Sequence, residues 1–284
     1  MKKLTVALAT FNEEKNLGSC LESIKDIADE IVIVDGTSSD KTVDVAKKFG
    51  ARILVVPNQQ IFHINKQKAL EMSHNEWVLQ LDADEIVSPE LAKEIMEVII
   101  MDEHSLDAYQ AKIPNRELFL RHQKLLEGRD GSIGTKTGEY AAFFIPRLNF
   151  FLGRYLRYGG VYPDGVIRLV KRSKSKFPCK DVHEQIEVNG RVGWLQHDLI
   201  HMADPTFARY IARNKRYIAV LATQIHPKGF LDGIDYLLIK PVWWFGLTFI
   251  RHKGILDGWQ GFVFSFFSAL RFPRAYLLYM QKKA

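Results

Sequence analysis

Two cysteines in 284 residues, Cys20 and Cys179, are too few and too far apart for a disulfide framework or a zinc site. They point to a reducing compartment. No apolar run reaches the roughly 20 residues that a membrane-spanning helix needs. The apolar stretch after Met1-Lys2-Lys3 is too short for a signal peptide, so the chain is expected to enter its first strand directly. No Gly-x-Gly-x-x-Gly follows that strand and no Gly-Lys-Ser/Thr occurs, which argues against a dinucleotide fold and a P-loop. No RNA- or DNA-binding motif is present, so nucleic acid is not an expected partner.

What remains is an ordinary globular composition, long enough for one large domain or a domain with an appendage. The net charge of +6 is unevenly placed. From His201 onward twelve Lys and Arg stand against four Asp, an excess of eight, and Trp and Phe are dense there. Basic plus aromatic without a nucleic-acid motif favours an anionic membrane surface.

The first hundred residues alternate strand and helix patterns. Leu4-Thr5-Val6-Ala7-Leu8-Ala9 reads as a strand ending in Thr10-Phe11-Asn12-Glu13-Glu14. A helix with Leu17, Leu21 and Ile24 on one face follows. Glu30-Ile31-Val32-Ile33-Val34-Asp35 is a second strand, 41–49 a second helix, 52–56 a third strand and 65–72 a third helix. Trp77-Val78-Leu79-Gln80-Leu81 then runs into Asp82-Ala83-Asp84-Glu85, and Ser88-Pro89 opens another helix. The alternation predicts a mainly parallel sheet with right-handed crossovers. Three polar strand ends therefore converge on its carboxyl edge, where open α/β sheets bind ligands. Alternate residues of an extended segment face the same way, so Asp82 and Asp84 can meet one ligand. Two close carboxylates call for a cation, and a hard divalent ion bridging to phosphates is one answer.

Thr10-Phe11-Asn12-Glu13-Glu14, Val34-Asp35-Gly36-Thr37-Ser38-Ser39-Asp40-Lys41-Thr42 and Leu81-Asp82-Ala83-Asp84-Glu85, in that order, resemble the family 2 glycosyltransferases of GT-A fold. Lys66-Gln67-Lys68-Ala69-Leu70 is similar to the family's Lys-Asn-x-Ala-Leu helix, with Gln67 in place of Asn. The resemblance implies an α/β, Rossmann-like, mainly parallel sheet flanked by helices. It implies nucleotide-sugar contacts from Thr10, Asn12, Glu13, Glu14, Asp35, Lys66, Asp82 and Ala83. Within that set, Thr10 and Asp35 would hold the base, and Glu13 or Glu14 the ribose. Asp82 would sit on the ribose near the metal, and Asp84 would bind Mg²⁺ or Mn²⁺, with His201 as a further ligand. Lys66 and Lys68 could add positive charge at the diphosphate, although a solvated helix face would explain them equally well.

The block 154–172, with Val182-His183-Glu184 after it, resembles the subgroup containing the lipopolysaccharide inner-core glucosyltransferases. That implies a lipid-linked or lipopolysaccharide-type acceptor and an acid at the start of a helix as base. Glu184 matches that position, and Asp181 is the alternative. A helix-capping acid is the plainer reading of either.

Further expectations concern the layout. Residues 1–203 form the catalytic domain, divided into a nucleotide-sugar half (1–103) and an acceptor half (104–203). A strand region is expected over 107–120 and a loop over 125–138, with an insertion at about 114–145. Residues 204–284 form a helical, basic and aromatic extension lying on the inner face of the plasma membrane. A core-packing helical pair or a homodimer interface would use the same aromatics. Arg209, Arg213 and Arg216 share a helix face and could meet phosphates of a lipid carrier or simply be solvated. The resulting function is metal-dependent, inverting hexosyl transfer from a nucleotide sugar, UDP-linked by preference. The rivals are a nucleotidyltransferase on a related sheet and a non-catalytic membrane scaffold. The acidic Thr10–Glu14 stretch argues against the first, and intact Asp82, Asp84 and Glu184 against the second.

Overall fold

The computed structural model describes residues 3–179, 185–226 and 230–283. They divide into two compact units, Met1–Arg147 with Pro163–His201, and Leu148–Tyr162 with Met202–Ala284.

The first unit is built on a seven-stranded sheet. In chain order its early elements are β1 (Leu4–Thr10), α1 (Leu17–Glu22), β2 (Glu30–Asp35), α2 (Thr42–Lys48), β3 (Arg52–Val55), α3 (His63–Met72) and β4 (Trp77–Leu81). Next come β5 (Glu85–Val87), α4 (Pro89–Val98), α5 (Glu103–Lys112), α6 (Arg116–Asp130) and β6 (Tyr140–Ile145). The strand order is β12-β6-β9-β4-β1-β2-β3, where β9 is Val166–Lys171 and β12 is Arg191–Trp194; β10 (Ser175–Lys176) and β11 (Glu187–Val188) pair with each other outside it. β1, β2, β3 and β4 run parallel, and β9 enters antiparallel between β4 and β6. The mixed, mainly parallel sheet flanked by helices is the architecture expected. Every residue of β4 is buried, as the continuous apolar run requires of a strand covered on both faces. Leu17, Leu21 and Ile24 are fully buried, as is Cys20, which is a core residue. Ser88 caps α4, its Oγ accepting from Leu91 N at 3.2 Å, with Pro89 in the first turn.

The chain passes β1 to β2 to β3 in one direction and then returns to place β4 on the other side of β1. The strand order reverses between β1 and β4, and a crevice opens at their carboxyl ends.

Two local expectations are corrected. Residues 107–112 and 116–120 are helical, in α5 and α6, in place of the expected strand. Asp102 caps α5 by accepting from Ser105 N at 2.8 Å, and Ala, Gln and Lys suit its interior. Pro114 ends it by forcing Ile113 out of the helical region, to ψ 124°. α6 then carries on into the expected loop as far as Asp130. Gly131, at φ 91°, ends it. The tail of the 114–145 segment, Tyr140–Ile145, is a fully buried strand of the main sheet.

The second unit holds the hairpin of β7 (Arg147–Phe151) with β8 (Arg154–Leu156), and the end of β13 (Leu199–Asp204). Helix α7 (Phe207–Thr223) is capped by Thr206. A helical run over 230–251 then combines α8 (Phe230–Ile234), a π-helical stretch Asp235–Ile239, α9 (Lys240–Phe245) and a second π-helical stretch Gly246–Arg251. α10 (Gly258–Ala269) and α11 (Arg271–Lys283) close the chain. Arg213 is paired with buried Asp204, so of the three arginines expected to share a phosphate-binding face this one is engaged within the unit. Among the described residues no helix is long and apolar enough to cross a membrane.

Candidate active site

The loops after β1 and β2 are fastened to each other. Asn12, at φ 56°, accepts from Ser39 N through its Oδ1 at 2.8 Å, and its own N–H donates to Ser38 Oγ at 2.8 Å. Glu13 N donates to Thr42 Oγ1 at 2.7 Å, and Glu14 Oε2 accepts from Lys41 N at 3.1 Å. Asp35, at the end of β2, accepts from Thr10 Oγ1 (2.8 Å), Ser38 N (2.7 Å) and Ser38 Oγ (2.6 Å). Asn12, Glu14 and Asp35 thus fasten the loop after β1 to the loop after β2.

The turn after β4 is locked more tightly. Glu85 N donates to Asp82 O at 3.0 Å, and Asp82 N donates to Glu85 Oε2 at 2.9 Å. Glu85 has no exposed surface. Its other oxygen accepts from Arg168 Nη2 at 2.6 Å and lies 3.4 Å from Arg147 Nη1. Arg168, buried on β9, also donates to Gln80 Oε1 at 2.6 Å and to Asp82 Oδ2. Lys66, buried near the start of α3, pairs with Asp82 Oδ1 at 2.6 Å. Burial alone would raise the Asp82 carboxyl. Arg168 and Lys66 outweigh that and hold it well below the ordinary carboxylate range. Burial lowers the Lys66 ammonium, and Asp82 opposes the shift. Burial also pulls on Arg168, and Asp82 and Glu85 more than offset it, so the guanidinium stays charged.

A cavity of about 350 Å³ opens at this edge, and its walls include Thr10, Glu13, Lys66, Asp82, Ala83, Asp84 and His201. These expected residues are brought together, whereas Asn12, Glu14 and Asp35 are engaged in the bonds that join the loops after β1 and β2. His201 arrives because the first residues of β13 pair antiparallel with β5, setting it opposite Glu85. Its Nε2 is 3.7 Å from Asp84 Oδ2. Glu184 and Asp181, the candidates for the base, lie outside the described residues.

Sequence reasoning missed several walls of the cavity. Phe11, Asn58, Phe62 and Asn65 also line it. Asn65 is 3% exposed, and its Oδ1 has no hydrogen-bond partner among the described residues. An amide oxygen stranded beside a cavity is suited to a hydroxyl donor from a ligand. Arg168 was missed as well, because a lone basic residue inside Val166-Ile167-Arg168-Leu169-Val170 reads as a strand residue. Val166 and Val170 lie on its own face of the strand, and a charge set between two apolar residues on one face was the available signal.

Carboxylate and imidazole facing one cavity at the switch point of an α/β sheet, with a buried ammonium beside them, are chemically suited to a phosphorylated ligand. Residues 5–176 match the model of glycosyl transferase family 2, and the chain belongs to that family: it is a glycosyltransferase. It is 27% identical over 277 residues to an uncharacterized glycosyltransferase of Rickettsia typhi, covering 96% of this chain and 86% of that one. It is 24% identical over 294 residues to the lipopolysaccharide core biosynthesis glycosyltransferase LpsC of Rhizobium meliloti, covering 97% and 93%. A solved structure it also matches is glucosyl-3-phosphoglycerate synthase from Mycobacterium tuberculosis with Mn²⁺, UDP and glucosyl-3-phosphoglycerate, at 24% identity and a TM-score of 0.32. That match spans 36% of this chain and 41% of the other, and so loose an overlap carries nothing over.

Proposed function

We propose that the chain is a metal-dependent, inverting hexosyltransferase that takes its sugar from a UDP-linked donor. Its acceptor would be a lipid-linked or lipopolysaccharide-type glycan at the inner face of the plasma membrane. One observation supports this above the others: Lys66, Asp82, Asp84 and His201 line a single cavity at the reversal of strand order. The acceptor class is favoured by the near full-length similarity to LpsC.

The donor set suits a divalent cation. Asp84 and His201 together offer a carboxylate oxygen and an imidazole nitrogen, a mixture Mn²⁺ accepts and Mg²⁺ accepts in its oxygen part. Among the described residues no cluster of three such side chains forms, so diphosphate oxygens and water would complete the shell. The ion, when bound, would act as a Lewis acid on the leaving diphosphate. The protein's own groups do the rest. Lys66 is held by Asp82 at the cavity wall, where its remaining N–H bonds can face the diphosphate. Asn65 Oδ1 can accept from a donor hydroxyl. The acceptor oxygen attacks the anomeric carbon from the face opposite the diphosphate, the bond to the diphosphate breaks, and the acceptor's proton passes to Glu184. The base role is carried by the sequence motif, with Asp181 as the alternative.

Glu184→Gln is expected to keep donor affinity and to lower single-turnover transfer by at least about 10²-fold, because an amide cannot take a proton at neutral pH. Asp181→Asn is the control. A fast Glu184→Gln beside a dead Asp181→Asn would move the role to Asp181. A thermal-shift screen of nucleotide sugars with and without Mn²⁺ tests the donor class, since a ligand at 100 times its dissociation constant adds about 2.7 kcal/mol.

A further inference from the structure

In the helical run 230–251, the exposed apolar residues Leu238, Val242 and Ile250 recur in steps of four, with Gly246 between them. Val242 is 73% and Ile250 70% exposed. A Cβ placed on Gly246 would meet nothing within 4 Å, so this position lies open too. A four-residue repeat drifts around a pure α-helix, which turns in about 3.6 residues. The π-helical stretches Asp235–Ile239 and Gly246–Arg251 close over one residue more and turn the stripe back. The opposite side of the run is packed: Trp244 meets Phe272 at 5.7 Å and Tyr236 stacks on Tyr276 at 5.8 Å. Trp243, one residue from Trp244, is 60% exposed.

The neighbouring segment carries a second stripe, Ile255, Trp259, Phe262 and Phe266, all exposed. Phe245 and Phe249 both touch Phe262, each at 5.8 Å, so the two helices are held side by side. The stripes together make an apolar face two helices wide, larger than scattered surface residues account for.

The charge around this face is mainly positive. From residue 230 to the end of the sequence seven Lys and Arg stand against Asp232, Asp235 and Asp257, and Asp235 is paired with Lys240 at 2.9 Å. Asp257 is buried and accepts from the N–H groups of Arg157 (3.3 Å) and Tyr158 (2.9 Å). Arg251 and Lys253 are exposed at the turn between the helices. Two copies of such a face would bring like charges together, whereas anionic lipid headgroups would complement them. α10 has 12 residues, about 18 Å of helix, too short to span, and Lys240 and Pro241 interrupt the longer run.

We infer that this face is the membrane-binding surface of the protein, lying flat in one leaflet with Trp243 and Trp259 at the interface and Arg251 and Lys253 on anionic headgroups. It specifies the membrane contact of the proposed function and rests on that reading for its purpose alone. Sedimentation of the full chain with phosphatidylcholine vesicles, with and without phosphatidylglycerol, tests it. The chain is expected to bind the anionic vesicles more tightly, and less so as salt rises. Val242→Glu with Ile250→Glu is expected to weaken partitioning at least about tenfold. Gly246→Leu, which fills an open position, is expected to strengthen it. Brominated lipids should quench tryptophan emission in the parent and not in the double variant. Vesicle binding unchanged by all three substitutions would overturn the inference. So would a lipid-free dimer that the double variant turns into monomers while vesicles bind neither form. The assay uses no donor and no metal. A chain that binds vesicles but transfers no sugar therefore fails only the proposed function, and one that transfers sugar without binding vesicles fails only this inference.

Discussion

Asp84→Asn is expected to lower glycosyl transfer by about 10³-fold while leaving the fold intact. The carboxylate faces the cavity, 3.7 Å from His201, at a turn whose shape is set by other residues. The two bonds between Asp82 and Glu85, one backbone to backbone and one from Asp82 N to the Glu85 carboxylate, and the Glu85 contacts to Arg168 and Arg147, stay in place when Asp84 loses its charge. Asparagine keeps the shape and removes an anionic ligand. The loss follows from the several kcal/mol of transition-state stabilisation that a bound metal supplies, at about 1.36 kcal/mol per tenfold in rate. Unfolding curves should match the parent. Mn²⁺ affinity in the presence of UDP should fall, and parental activity in this variant would remove Asp84 from the metal site.

Arg168→Met is expected to destabilise the protein by about 3–5 kcal/mol, the usual cost of removing one partner from a buried ion pair. Arg168 joins Gln80, Asp82 and Glu85, and without it Glu85 keeps, among the described residues, Arg147 as its cationic partner at 3.4 Å. Chemical denaturation reads the effect as a lower midpoint at unchanged slope. The pH dependence has a definite sign. Asp82 sits well below its ordinary value of 3.8 in the folded protein. The stability it adds is full above that value and is lost as pH falls below it, toward the folded-state value. In Arg168→Met the Asp82 carboxyl should rise, so the variant should lose less stability than the parent on moving below pH 4. A midpoint equal to the parent's would show that the cluster is not held by Arg168.

The parts of this arrangement that were legible in the sequence are the local ones. Strands with continuous apolar runs, such as Trp77–Leu81, announced their burial on both faces, and Ser88-Pro89 announced the start of α4. Asp82, Asp84 and Thr10 could be placed on one edge because parallel connections put strand ends together. Residues 107–120 misled because Tyr109, Ile113, Leu118 and Phe119 look like strand residues. Asp102 as a cap and Pro114 as a stop were the better guides. Arg168, Asn65 and Asn58 stayed hidden because their roles depend on which strand or helix neighbours which, and spacing along the chain does not encode that. His201 could be guessed from the resemblance, but its approach to Asp84 depends on β13 pairing antiparallel with β5.

The most direct measurement is release of UDP from UDP-hexoses by metal-stripped protein, with Mn²⁺ or Mg²⁺ then restored. Release is expected to be absent without metal, to return with either ion, and to rise further when a lipopolysaccharide-type acceptor is supplied. Undiminished release in the presence of a chelator would contradict metal-dependent transfer from this cavity.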